Sequence, residues 1–209
     1  MIREKIKSSV VYKIWCFLNK KRFERLEIES WMSNNKPVPP PHNIKFYTIK
    51  KKRKINKARI LIETGTYKGA MIDSCKPLFK KIFSIELDRS LYEEAKVRFR
   101  KYSRINLING DSGEKLVSLL TEIHEPCLFW LDGHYSGGIT AQGNVDTPIM
   151  AELKAILTHH IKNHVILIDD ARLFIGENDY PTVDDLTTFI LNENASKRIA
   201  IENDIIIIW

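Results

Sequence analysis

Arg59-Ile60-Leu61-Ile62-Glu63-Thr64-Gly65-Thr66-Tyr67-Lys68-Gly69-Ala70 passes from an apolar run into a turn bounded by two glycines. Ile60, Leu61 and Ile62 read as a buried strand, and Gly65 and Gly69 as the turn that ends it. Beyond the turn the apolar residues Met71, Ile72, Cys75, Leu78 and Phe79 fall at helical spacing. A strand, a glycine turn and a helix in that order form a corner suited to a nucleotide-type ligand. Glycines let backbone approach closely, and the helix start offers free N–H groups. The spacing Glu63-x-Gly65-x-x-x-Gly69 differs from the G-x-G-x-x-G of dinucleotide enzymes.

Downstream of this corner, short apolar runs alternate with helical patterns. Strands are expected at 60–63, 82–86, 105–109, 127–131 and 164–168, and helices at 69–80, 90–101, 113–123, 147–160 and 182–192. Pro77 should kink the first of these helices. Alternation at this spacing predicts an α/β domain with a mostly parallel sheet covered on both faces. The chain then changes style. Arg198-Ile199-Ala200-Ile201 and Ile205-Ile206-Ile207-Ile208, separated by Glu202-Asn203-Asp204, read as an antiparallel hairpin that completes seven strands.

Upstream, residues 2–28 carry Ile2, Ile6, Val10, Ile14 and Leu18 every fourth position, which predicts a helix with basic flanks. It would pack on the domain with a solvated basic face, or lie on an anionic membrane surface. Pro37, Pro39, Pro40 and Pro41 make a stiff linker. Asn43 to Ile49 is expected to be extended, and Lys50 to Lys54 to be a solvated run without chemistry. This divides the chain into a basic front, 1–57, and an α/β domain, 58–209. The formal charge of +7 is split accordingly: residues 1–25 hold +6, residues 45–59 hold +8, and residues 60–209 hold −6. An acidic body repels phosphate, and no stacking platform interleaves the basic residues, so nucleic acid is an unfavoured partner.

Three cysteines, Cys16, Cys75 and Cys127, sit inside apolar patterns and read as reduced core thiols of a cytoplasmic protein. Val10 to Leu18 is too short to span a bilayer and is interrupted by Lys13.

The second strand ends in Glu86, where an acid can accept hydrogen bonds from both hydroxyls of a ribose. The third ends Asn109-Gly110-Asp111-Ser112, placing Asp111 or Ser112 near an adenine edge. With the glycine turn and the final hairpin, these positions over residues 58–209 resemble the Rossmann-like class I methyltransferases. Glu63-Thr64-Gly65-Thr66-Tyr67-Lys68-Gly69 is similar to the glycine loop of the catechol O-methyltransferase type, tyrosine included. The resemblance implies an S-adenosylmethionine pocket made by Glu63, Gly65, Tyr67, Gly69, Glu86, Asp111, Ser112 and Asp132. In it the Gly65–Gly69 loop would meet the methionine part and Glu86 the ribose.

Strand four runs into Leu131-Asp132-Gly133-His134-Tyr135 and strand five into Ile168-Asp169-Asp170. Both acid groups should reach one sheet edge. Three carboxylates cannot share a small, partly buried space while ionised unless a cation balances them. A divalent ion with oxygen ligands, Mg²⁺ for preference, held by Asp132, Asp169 and Asp170, is the expected solution. The same layout is similar to metal-dependent O-methyltransferases of catechol-type, sugar and macrolide substrates; the acid at 170, where catechol-type enzymes have an amide, looks closer to the sugar-modifying group.

His134 is a candidate general base or a wall of the adenine pocket. Catechol-type enzymes carry a lysine shortly after this acid, and here stand Tyr135 and Ser136, so Asp132 and Lys68 stay as further candidates for the base. The glycine-rich loop Ser136 to Asp146 and the segment Leu173 to Pro181 are expected to wall the acceptor. Trp130 to Gly138 is most similar to methyltransferases associated with bacterial surface glycans.

The expected activity is therefore S-adenosylmethionine-dependent O-methylation of a sugar, glycan or related small molecule. The protein would be cytoplasmic, with residues 1–28 a candidate for peripheral contact at the inner face of the membrane, and homo-oligomers are left open. The rivals are an NAD-dependent sugar oxidoreductase or epimerase, against which the glycine spacing and hairpin speak, and a non-catalytic membrane-associated protein on the same fold.

Overall fold

The computed structural model describes residues 19–133 and 147–209. The front of the expected 2–28 helix, His134 and the loop to Asp146 lie outside the described residues. The elements are α1 (Lys20–Ser33), α2 (His42–Asn56), β1 (Ile60–Thr64), α3 (Ala70–Cys75), β2 (Lys81–Glu86), α4 (Arg89–Phe99) and β3 (Ile105–Asn109). They continue with α5 (Ser112–Leu120), β4 (Cys127–Leu131), α6 (Ile149–Thr158), β5 (Val165–Ile168), α7 (Val183–Glu193), β6 (Ile199–Glu202) and β7 (Ile205–Ile208). The seven strands lie in the order β3-β2-β1-β4-β5-β7-β6. β1 to β5 pair in parallel, and β7 enters antiparallel between β5 and β6.

The central strands are apolar throughout because both of their faces are covered. Ile60, Ile62, Phe129 and Leu131 pack under α5, α6 and α7 through Leu116, Leu153 and Ile190. Leu61, Leu128, Trp130 and Leu167 face the other way, against Ile49 of α2, Ile72 of α3 and Phe99 of α4. At the β1–β4–β5 centre the carboxyl ends of three parallel strands open at one rim.

Three local expectations change. Residues 43–49, expected to be extended, form the front of α2. Phe46-Tyr47-Thr48-Ile49 reads as a strand by composition, but Pro41 caps a helix here and Ile49 is wholly buried on the sheet. Tertiary packing overrides local preference. The basic run Lys50–Lys54 is consequently helical as well. The helix at 69–80 is confined to Ala70–Cys75, since Pro77 cannot continue it. Of the helix expected over 2–28, the described part starts at Lys20, with Asn19 as N-cap, and runs on to Ser33; Trp31 is buried there and donates its indole N–H to Pro37 O at 2.8 Å. Among the described residues no helix is long and apolar enough to cross a membrane.

Candidate functional site

The turn after β1 is held from below. Gly65 donates its N–H to Ile85 O at 2.9 Å, and Asp132 donates its own to Thr64 O at 3.1 Å. Gly65 has φ +81°, and a Cβ on it would stand 2.3 Å from the carbonyl oxygen of Asp132. Its glycine is thus required by the close approach of the chain just beyond the paired ends of β1 and β4, in addition to any ligand. Gly69 has φ +71°, and a Cβ on it would stand 2.6 Å from the Phe99 ring. Tyr67 between them also has positive φ, at 47°, and its side chain is exposed.

Glu86 closes β2 and is tied to this turn. Its Oε2 accepts the Tyr67 N–H at 2.7 Å, and its Oε1 accepts the Asp88 N–H at 2.9 Å. A carboxylate oxygen has two lone pairs, so each can accept a further hydroxyl. Burial raises its pKa from the ordinary carboxylate value, against the backbone N–H groups that lower it. Asp88, not Glu86, caps α4, accepting from Leu91 N at 2.8 Å.

Glu63 lies beneath, fully buried. Ser84 Oγ donates to Glu63 Oε2 at 2.5 Å, and Thr66 Oγ1 lies 2.6 Å from Ser84 Oγ. Ser84 has one hydroxyl hydrogen and gives it to Glu63, so Thr66 donates to Ser84. Burial foremost, then the charges of Asp132 and Glu86, push the Glu63 pKa up to about 8. Thr64 Oγ1 is buried at the end of β1 with no hydrogen-bond partner among the described residues. It would lie 3.1 Å from a Cβ on Gly133, with Ser112 Oγ at 3.4 Å from the same point. Asp111, read from the sequence as an adenine contact, serves as N-cap of α5 and accepts from Gly113 N at 2.8 Å.

The ends of β4 and β5 lie side by side. Asp169 donates its N–H to Leu131 O at 3.0 Å, which carries the β4–β5 register one step further and sets it beside Asp132. Among the carboxylates stands a cation that sequence reasoning missed. Lys45, from α2, pairs through Nζ with Asp169 Oδ2 and lies 3.5 Å from Asp170 Oδ1. Burial works against its charge, yet the fields of Asp169, Asp170 and Asp132 hold its pKa above the ordinary lysine value. Asp169 shifts upward, because burial and the charge of Asp170 outweigh the pull of Lys45. No local signal marked Lys45; it sits in a basic stretch, and only the α2 helix brings it to the rim.

No protein-family model matches this sequence, and no curated protein matches it. Solved structures do. SAH-bound methyltransferase PaMTH1 of Podospora anserina aligns over 87% of this chain and 86% of its own, at 17% identity and TM-score 0.54. The O-methyltransferase of Bacillus cereus, in complex with SAH, aligns over 88% of each chain at 15% identity and TM-score 0.57. TomG of Streptomyces achromogenes, an O-methyltransferase involved in tomaymycin synthesis and solved with SAM, aligns over 88% of this chain and 87% of its own, at 13% identity and TM-score 0.55. The fold is that of the class I methyltransferases.

On that methyltransferase fold the rim residues can be tested against the expected Mg²⁺. Asp169 Oδ1 accepts the Asp170 N–H at 2.9 Å and Oδ2 holds Lys45. Asp170 Oδ1 accepts Arg172 Nη1 at 2.9 Å. Among the described residues no group of three or more His, Cys, Asp or Glu is arranged to hold a metal ion. As arranged, both Asp169 oxygens and Asp170 Oδ1 already accept from donors of this chain, which does not suit a divalent ion at these oxygens.

Proposed function

We propose that this chain is an S-adenosylmethionine-dependent O-methyltransferase, with a hydroxyl of a sugar, glycan or related small molecule as acceptor. The observation that carries the reading is Glu86: a buried carboxylate fixed by the glycine turn at the carboxyl rim, where open α/β sheets bind ligands. The neighbours solved with SAH or SAM on this fold support the choice of cofactor. The residues fit it. Glu86 can take two ribose hydroxyls, and the buried Thr64 hydroxyl, unpartnered among the described residues, can take a polar group near Gly133. When bound, S-adenosylmethionine supplies an electrophilic methyl group on a sulfonium.

The chain's residues then bind and orient. The Gly65–Gly69 turn holds the methionine part, Ser112 borders the base, and the Asp132–Asp169–Asp170 rim with Lys45 lies on the acceptor side. Leu131, Glu152, Asp169, Phe174 and Tyr180 line a small recess of about 10 Å³, room for no more than one water-sized group. Transfer needs the acceptor oxygen aligned with the methyl group, and a fixed charge at the rim serves that alignment. The sugar or glycan acceptor is inferred from the segment Trp130 to Gly138, whose last five residues lie outside the described ones.

The second reading is the Mg²⁺-dependent enzyme expected from Asp132, Asp169 and Asp170. It is favoured by three carboxylates at one rim and requires Lys45 to withdraw. Residues 1–28 as a peripheral contact with the inner membrane face belong to the same proposal. Co-sedimentation with anionic vesicles should then fall when they are deleted. Calorimetric titration with SAH and with NAD⁺ tests the cofactor: binding of SAH alone is expected, and binding of NAD⁺ alone ends the reading.

A further inference from the structure

The acidic rim poses an electrostatic problem that the chain answers itself. Asp169 is buried, with its side chain at 0% exposure, and Asp170 stands next to it at 11%. Two adjacent buried carboxylates, with Asp132 beside them, are held ionised only against nearby positive charge. Lys45 reaches them across 124 residues of sequence, bonded to Asp169 Oδ2 and 3.5 Å from Asp170 Oδ1. Arg172 adds a second positive charge at 2.9 Å from Asp170 Oδ1. Both oxygens of Asp169 and one of Asp170 thereby already accept from donors of this chain.

We propose that the Lys45 ammonium is the resident cation of this rim and stands where a divalent metal would otherwise be required. Its placement beside an acceptor rests on the methyltransferase reading; the exchange of ion for ammonium does not. A divalent ion needs those same oxygens and would be repelled by an ammonium in contact with them. An ammonium carries three N–H donors, and two of them are directed at Asp169 and Asp170. The third is suited to the oxygen of an acceptor hydroxyl, and the Lys45 side chain keeps 17% of its surface exposed for such a contact. Lys45 thus makes α2, an element outside the parallel sheet, part of the site.

The test is Mn²⁺ binding to the full-length apo chain, followed by electron paramagnetic resonance and calorimetry. Wild type and Lys45→Arg should take up no stoichiometric Mn²⁺. Lys45→Met should gain one site, at least about tenfold tighter than any binding by wild type, and adding Asp169→Asn should abolish it. Thermal unfolding of each variant identifies folded samples. One Mn²⁺ per wild-type chain, bound as tightly as by Lys45→Met, overturns the proposal, and the wild-type titration alone suffices if Lys45→Met does not fold. SAH titrated into the same samples reads the methyltransferase assignment separately: no SAH binding with this Mn²⁺ pattern intact would remove that assignment and leave the Lys45 cation standing.

Discussion

Ser84 stands opposite Glu63 in the β1–β2 register and donates its hydroxyl to Glu63 Oε2 at 2.5 Å. With its pKa pushed up to about 8, Glu63 is mostly protonated at pH 7. A folded pKa above the ordinary 4.5 means that this group's stabilising contribution is complete below pH 4.5. It is lost as pH rises from there through 8, by at most about 1.4 kcal/mol per pH unit. Glu63→Gln mimics the neutral acid and should flatten that decline. Urea unfolding of both proteins from pH 5 to 9 measures it, and parallel curves would refute the assignment.

The opposite limb belongs to His164. Its Nδ1 accepts the Cys127 N–H at 3.0 Å, so its Nε2–H donates to His159 Nδ1 at 2.9 Å, and His159 Nε2–H donates to Leu120 O at 3.0 Å. Both rings are neutral in this chain of bonds. Burial, then His159 and Lys197, lower the His164 pKa to about 3. Its folded pKa lies below 6.5, so its contribution is complete above pH 6.5 and is lost as pH falls from there toward 3. His164→Phe should weaken the acid dependence and cost about 1–3 kcal/mol at pH 7 by orphaning the Cys127 N–H. Acid titration followed by circular dichroism checks both effects.

Gly65→Ala should cost more than about 1 kcal/mol, since a Cβ at φ +81° is strained and meets the Asp132 carbonyl oxygen at 2.3 Å. The same change should abolish SAH binding, because relief of the clash moves the turn or the end of β4. An alanine variant with native stability and native affinity would contradict the close approach of Gly65 to Asp132.

Glu86→Ala should weaken SAH binding by roughly 10-fold or more, the value of one or two hydrogen bonds to a charged group. Glu86→Gln should weaken it less, keeping an acceptor oxygen. Calorimetry on folded samples reads the two; equal affinity in all three proteins would remove Glu86 from the pocket.

Ile49→Ala should destabilise the protein by about 2–5 kcal/mol, because Ile49 is wholly buried between α2 and the sheet. A loss below 0.5 kcal/mol, near the range of surface substitutions, would mean that α2 is only loosely applied. Differential scanning fluorimetry and urea unfolding give the number.

The sheet was legible because parallel strands buried on both faces write themselves as uninterrupted apolar runs, as Cys127–Leu131 and Val165–Ile168 do. The hairpin was legible for a similar reason, with Ile205–Ile208 buried between two partners. The adjacency of the strand ends that carry Asp132 and Asp169 followed from that register. The α2 helix was not legible, since Phe46 and Ile49 favour strands in isolation and their helical pairing depends on a surface made by residues far along the chain. Lys45 was hidden with it. Among the eight basic residues from 45 to 59, nothing local separates Lys45, which reaches the rim, from the others. Asp111 shows the converse: its position beside the rim was expected, while its bond to Gly113 N reflects helix chemistry that the same sequence equally allowed.

The β6–β7 turn is latched to the rim. Asp204 accepts the Arg172 N–H at 2.8 Å and also holds its guanidinium, whose Nη1 is shared with Asp170, while Ala171 N–H binds Asp204 O at 2.9 Å. The closing hairpin is therefore a brace for the acidic corner, and engineering of its turn is a remote way to loosen Asp170 without touching the pocket.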